Sequence, residues 1–194
     1  VIARPFTGTP HHYERTKYRK DFSIQPPKPN YLTALQEQSI LTWGVGKISD
    51  IFAGEGLTKS IPVKGNPLCI EETIRLLHTK KEGFFFINLV DFDMLYGHRN
   101  DAPGYGKALA DFDRALDTIL PLLTAEDLLI ITADHGNDPT TASTDHNREY
   151  VPLLVYGADP GDLGTRKTMA DIGATVYHAL TGETRSDIPG ESML

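Results

Sequence analysis

The stretch TADHGNDPTTASTDHNRE, residues 132–149, holds two Asp-His pairs, Asp134–His135 and Asp145–His146. A third group lies upstream, where NLVDFDMLYGHR carries Asp91, Asp93 and His98. Such side chains either hold a metal ion or sit solvated in a loop. A mixed set of carboxylates and imidazoles suits Zn, Mn or Fe better than Ca, which prefers cages of oxygen alone. One Asp-His pair in a loop is ordinarily no more than a polar loop. Three groups, each just after a strand pattern or in the loop before one, predict a metal site. For Asp91 three roles stay open: ligating, supporting a ligand, or capping a turn.

Adjacent strand residues point to opposite faces, so Asp134 and His135 can share a metal only where the chain leaves extended geometry. Gly136 makes such a turn easy, and Gly97 suits a loop that doubles back from His98 toward Asp93. His11, His12, His78 and His178 lack comparable neighbours in sequence and read as surface or helix-face residues. Lys47, in GVGKISD (residues 44–50), follows a strand pattern and precedes a helix. That places it on the same rim, where it could meet a phosphate; an exposed lysine at a helix start fits the spacing equally well. Neither a G-x-x-x-x-G-K-[ST] phosphate loop nor a G-x-S-x-G nucleophile elbow occurs.

The elements that must position these residues alternate in type. NYLTALQEQS (30–39) reads as a helix, ILTWGVG (40–46) as a buried strand and ISDIFAGEG as a short helix. CIEETIRLLHTKK (69–81) is amphipathic, with Ile70, Ile74 and Leu77 at helical spacing. FFFINLV (84–90) is a continuous apolar run, the pattern of a parallel strand buried on both faces. Leu109, Phe112, Leu116, Ile119, Leu120 and Leu123 define one helical stripe. LLIITA (128–133) and VPLLVYG (151–157) read as further buried strands, and Met169, Ile172, Val176 and Leu180 as the last helix. This order predicts an α/β layered domain with a mostly parallel sheet, whose sites gather beyond the carboxyl ends of the strands. Residues 1–29 differ: a short strand pattern, a basic stretch (11–21) and the proline-rich QPPKPN (25–30), a stiff connector.

The 194 residues carry a net charge of −7, with 40% hydrophobic and 23% charged residues, an ordinary globular balance. The acidic excess argues against a nucleic-acid surface. The apolar runs are far too short to span a bilayer. The one cysteine fits a reducing compartment, which predicts a cytoplasmic protein. The opening VIARPF, apolar and without Met, predicts a chain that begins inside a longer one.

Taken in order, VIARPF, GKISDI, NLVDFD with GHR, ITADHGNDP, TDHNREYVPLLVYG and ADIGAT resemble the C-terminal half of the phosphopentomutases, a bacterial family of the alkaline phosphatase superfamily. The resemblance covers nearly the whole chain. It implies an incomplete alkaline-phosphatase-like core over residues 29–194, with residues 1–28 the tail of a cap domain. It also implies interconversion of (deoxy)ribose 1-phosphate and (deoxy)ribose 5-phosphate, through a phosphothreonine enzyme and a sugar bisphosphate activator. The implied cofactors are two Mn²⁺, with Zn²⁺ or Mg²⁺ as alternatives. Asp93, His98 and His146 would hold one ion; Asp134 and His135 would hold part of the other; Asp91 and Asp145 would support them. Ile2, Arg4, Arg15 and Arg19 would be remnants of the cap's grip on the sugar phosphate.

The family's threonine nucleophile and a further Asp ligand belong to a segment with no counterpart in this sequence. The five named ligands are too few for two filled sites of about four to six ligands each, waters included. The isolated chain is therefore expected to be inactive. Three other readings remain: a non-catalytic metal-binding fragment, a plain phosphatase of the superfamily, and a cofactor-independent phosphoglycerate mutase. The last shares an ADHGN segment, but its Asp-to-His spacing is one residue shorter than Asp93 to His98, and VIARPF and TDHNRE favour the pentomutases. The oligomeric state is not readable from the sequence.

Overall fold

The computed structural model describes the chain except Lys17 and Arg19, and leaves the side chains of Ile2, Arg15 and Asp21 undescribed. The elements run β1 (Ile2–Ala3), β2 (Phe6–Thr9), β3 (His12–Arg15), β4 (Lys20–Asp21), α1 (Tyr31–Glu37), β5 (Thr42–Val45), α2 (Ile48–Ile51), β6 (Lys59–Ile61), α3 (Asn66–His78), β7 (Phe84–Ile87), α4 (Ala102–Ile119), β8 (Leu129–Thr132), β9 (Leu153–Tyr156) and α5 (Ala170–Thr181). Between β7 and α4 lie a π-helical turn, Phe92–Tyr96, and a 3-10 turn, Gly97–Arg99. Among the described residues no helix is long and apolar enough to cross a membrane.

β5 is central in a parallel sheet of order β6-β5-β7, and its alternation sorts two cores. Trp43 and Val45 pair with Phe85 and Ile87, and this face packs on Cys69 and Leu76 of α3. Phe84 points the other way, into the cluster of Ala34, Leu35, Val176 and Tyr177 that joins α1 to α5. Leu35 is 1% exposed, so its burial contributes about 1.5–3 kcal/mol. A capping box starts α1: the Asn30 side chain accepts from the Thr33 N–H, and Thr33 Oγ1 accepts from the Asn30 N–H.

The sequence pattern and the structure differ in three instructive ways. First, β7 is only half-buried along its length, not enclosed on both faces. Second, β8 and β9 pair antiparallel, Leu129 opposite Tyr156, and β9 leaves Leu154 and Tyr156 60% and 52% exposed. An apolar run states what a strand can bury; its neighbours decide what it does bury. Third, α3 begins at Asn66, ahead of the apolar stripe, because Pro67 suits a first helical turn and Gly65 takes a positive φ of 82° just before it. Ahead of the core, β1 pairs antiparallel with β4 and β2 with β3, two small ladders. The following segment meets the core where Lys28 pairs with Glu55 and Ser23 Oγ donates to the Asp50 carbonyl.

Candidate metal centre

The exit from β7 is fastened before it reaches the site. Asp91 is buried, and its carboxylate accepts the Asn66 N–H at 2.7 Å while its own N–H donates to Asn66 Oδ1 at 2.9 Å. Asp91 thus caps the N-terminus of α3, where a negative charge is favoured by the helix dipole. These contacts are those of a helix cap.

Beyond Asp91 the chain winds as a π turn. The Gly97 N–H donates to the carbonyls of both Phe92 and Asp93. Bonding between residues five apart sets Asp93 and His98 above one another, which a regular α-turn would not do. The exit is therefore a wound turn where the sequence suggested a loop. Asn100 closes it at a φ of 52°, and Asp101 caps α4 by accepting the Gly104 N–H.

The second arm leaves β8 at Thr132 and bends at Asp134–His135. The departure from extended geometry brings Asp134 Oδ2 to 3.6 Å from His135 Nε2, although Asp134 stays largely exposed. Gly136 then pairs with Asn147, whose N–H donates to the Gly136 carbonyl at 3.0 Å. A Cβ on Gly136 would lie 2.6 Å from Glu149 Cβ and 2.8 Å from the Asn147 carbonyl oxygen. Gly136 is needed for this close approach of two backbones. Gly97 serves likewise, its missing Cβ leaving room for the Asn137 amide at a φ of −61° that any residue adopts. The reason for both glycines is proximity, not turn conformation.

That pairing carries His146 over His135, the rings stacked at 3.7 Å, with the His98 ring 4.8 Å from His146 on centroids. Asp93 Oδ1 is the meeting point: His146 Nε2 lies at 3.1 Å, His98 Nε2 at 3.2 Å and Asn137 Nδ2 at 2.9 Å. Ligand atoms of Asp93, His135 and His146 all fall within 4.8 Å of one another. The two ligand sets expected from the sequence therefore adjoin, His146 lying between them.

The donor chemistry fits a divalent transition-type ion. His98 Nδ1 faces the Thr144 carbonyl at 2.5 Å and His135 Nδ1 the Gly136 carbonyl at 3.2 Å. A carbonyl can only accept, so each Nδ1 carries a proton, and a neutral imidazole held in this way would present the lone pair of its Nε2. His98 Nε2 faces the Asp93 carboxylate at 3.2 Å, so a cation placed between them would be held by both. A carboxylate with neutral imidazoles is a set for Zn or Mn more than for Ca.

Of the remaining expected residues, Lys47 lies just after β5 at the start of α2, with Nζ 2.8 Å from Sδ of Met94, the residue that follows Asp93 in sequence. Asp145 is exposed, its N–H donating to Ser143 Oγ. Arg4 is exposed. Arg19 lies outside the described residues, and for Ile2 and Arg15 only the backbone, in β1 and β3, is described. His178 Nδ1 meets Ser192 Oγ at 2.9 Å.

Three residues were missed from the sequence. Asn137 sits within the ADHGN segment but offers no ligand atom of the usual kinds. Asn66 is remote in sequence from Asp91, and nothing in its own neighbourhood signals the pair. Tyr105 lines a cavity of about 250 Å³ with His135, Asn137 and Asp138. Burial pushes its phenol pKa up, and the Asp138 and Asp93 carboxylates add to the effect. Asp138 itself is held low by the side chain and the N–H of Thr140.

The profile described as Metalloenzyme superfamily matches residues 45–183. A phosphopentomutase of Dictyoglomus thermophilum is 53% identical over 197 aligned residues, covering 100% of this chain and 50% of the relative. A phosphopentomutase of Anaeromyxobacter sp. (strain K) is 57% identical, with the same coverage. The chain thus spans about half the length of the curated relatives it matches. Among solved structures, a phosphoglycerate mutase of Leishmania mexicana, determined at low cobalt concentration, superposes with a TM-score of 0.64 at 18% identity. That match covers 82% of this chain and 38% of the other. At that identity the likeness speaks for the fold alone, which is alkaline-phosphatase-like with a parallel sheet and flanking helices.

Proposed function

We propose that this chain, which belongs to the metalloenzyme superfamily, is the C-terminal, metal-binding part of a phosphopentomutase that interconverts (deoxy)ribose 1-phosphate and (deoxy)ribose 5-phosphate. The convergence of His98 and His146 Nε2 on Asp93 Oδ1 carries this reading. Asp93, His98 and His146 would hold one divalent ion, and Asp134 and His135 would contribute to a second. Mn²⁺ is the proposed metal, and Zn²⁺ suits the same donors. Bound there, two ions would supply charge neutralisation for a phosphoryl group in in-line transfer.

This chain's own residues would do three things in such a reaction. The fixed Nδ1 protons of His98 and His135 hold their rings in one orientation, so little reorganisation accompanies each turnover. Lys47, on the rim beside Met94, offers an ammonium to a phosphate of the substrate. Asp91 keeps the Asp93 turn at a constant height above the sheet by its grip on α3. Ile2, Arg4, Arg15 and Arg19 are the proposed contributions of residues 1–28 to holding the sugar phosphate. Asp145 is the proposed neighbour that orients His146. A threonine nucleophile, with a sugar bisphosphate as activator, would come from the part of the relatives' length that this chain does not span.

The decisive experiment assays the whole protein carrying this chain for ribose 5-phosphate formed from ribose 1-phosphate, with free phosphate measured in parallel. Isomerisation without stoichiometric phosphate release supports the mutase, and phosphate release alone would replace it with a phosphatase. Turnover of phosphoglycerate in place of the pentose would favour the other mutase. Replacing Asp134 or His135 by Ala should abolish both activity and the second equivalent of bound metal.

A further inference from the structure

We infer that Asn137 is a positioning residue for the metal ligand Asp93, and that Gly97 is glycine in order to admit it. The inference rests on the metal-centre reading above. Asn137 Nδ2 donates to Asp93 Oδ1 at 2.9 Å, the same oxygen that faces His98 and His146 Nε2 at 3.2 and 3.1 Å. A carboxylate can only accept, so the amide must present its NH₂ to it and its orientation is determined. A carboxylate oxygen has two lone-pair directions. With one engaged by Asn137, a single lone pair remains to point between the two imidazoles. Asp93 is thereby set as a ligand through one oxygen, in one rotation of its carboxyl group.

The backbone of the opposite turn enforces this geometry. A Cβ on Gly97 would fall within 2.6 Å of Asn137 Oδ1, and closer still to Cγ and Nδ2. The Gly97 φ of −61° requires no glycine, so the space it leaves is what matters. Asn137 lies two positions after His135 and is anchored on the β8 arm, while Gly97 and Asp93 belong to the β7 arm. The amide therefore links the arm bearing His135 to the ligand of the neighbouring ion. Supporting contacts of this kind alter metal affinity by about 10–100-fold when removed.

The interlocking makes a specific non-additive prediction. Gly97→Ala should push the Asn137 amide off Asp93, so Gly97→Ala and Asn137→Ala should each weaken Mn²⁺ binding at the Asp93 site by about tenfold or more. The double variant should be no weaker than Asn137→Ala alone, because the second change removes a contact already lost. Asn137→Asp keeps the side chain's shape but replaces the donor by a carboxylate, and should weaken binding further. The measurement is Mn²⁺ titration by calorimetry and electron paramagnetic resonance on the whole protein, with circular dichroism melts confirming the fold of each variant. Wild-type affinity in Asn137→Ala and Asn137→Asp, or full additivity in the double variant, overturns the inference while leaving the metal centre standing. Failure of the wild-type protein to bind Mn²⁺, with Zn²⁺ giving the same result, overturns both.

Discussion

Replacing Asp91 separates the cost of a lost charge from the cost of a lost acceptor. Asp91 is 8% exposed, and its carboxylate accepts the Asn66 N–H at 2.7 Å, at the first turn of α3. Asp91→Asn keeps an oxygen that can accept in the same place. It gives up the interaction of a negative charge with the helix N-terminus, about 1 kcal/mol and up to about 2 kcal/mol where partly buried. Asp91→Ala also strands the Asn66 N–H without a partner, adding about 1–3 kcal/mol. The expected losses are therefore about 1–2 kcal/mol for Asn and about 2–5 kcal/mol for Ala. For 150–250 residues each kcal/mol lowers the melting temperature by about 2–4 °C, so Ala should fall clearly below Asn in a calorimetric melt. Both variants should also bind Mn²⁺ more weakly, since Asp91 begins the turn that carries Asp93. Equal melting temperatures for the two variants would refute the capping account. Unchanged metal affinity in Asp91→Ala would show that the α3 contact does not govern the turn.

Two further expectations concern the second arm and the core. Gly136→Ala drives a methyl group into Glu149 and the Asn147 carbonyl, so the arms should separate, with loss of His146 from the site. Weakened Mn²⁺ binding with a melting temperature lowered by several degrees is expected, and a silent Gly136→Ala would show that the arms are held otherwise. Burial pushes the Cys69 thiol up, and the nearby Asp91 carboxylate pushes it further. A folded thiol pKa above the unfolded one favours the neutral form. Its contribution to stability is complete below about pH 9 and is lost as pH rises through the folded pKa. At pH 8 the folded protein should therefore react slowly with a thiol-specific disulfide reagent and completely once denatured; prompt reaction in the folded state would contradict the burial.

Much of this protein is legible in its residues alone because the relevant signals are local. The 3.6-residue stripe over α4 and the helix pattern of α1 depend on neighbours in sequence. So does the presence of Asp-His groups just beyond strands. A candidate metal site could thus be anticipated from residue type and place, while the choice of Asp93, His98, Asp134, His135 and His146 as its proposed ligands came from the family resemblance. What local pattern cannot carry is which arms touch. The stacking of His146 on His135 follows from the Gly136–Asn147 pairing. The donor from Asn137 to Asp93 spans 44 positions, and that between Asn66 and Asp91 spans 25. Glycine is the clearest case, for Gly97 and Gly136 were legible as glycines but not for what they admit. Chain chemistry supplied the candidate ligands. Only the packed fold decided their partners, because a gap left by a missing Cβ has meaning only once another chain segment fills it.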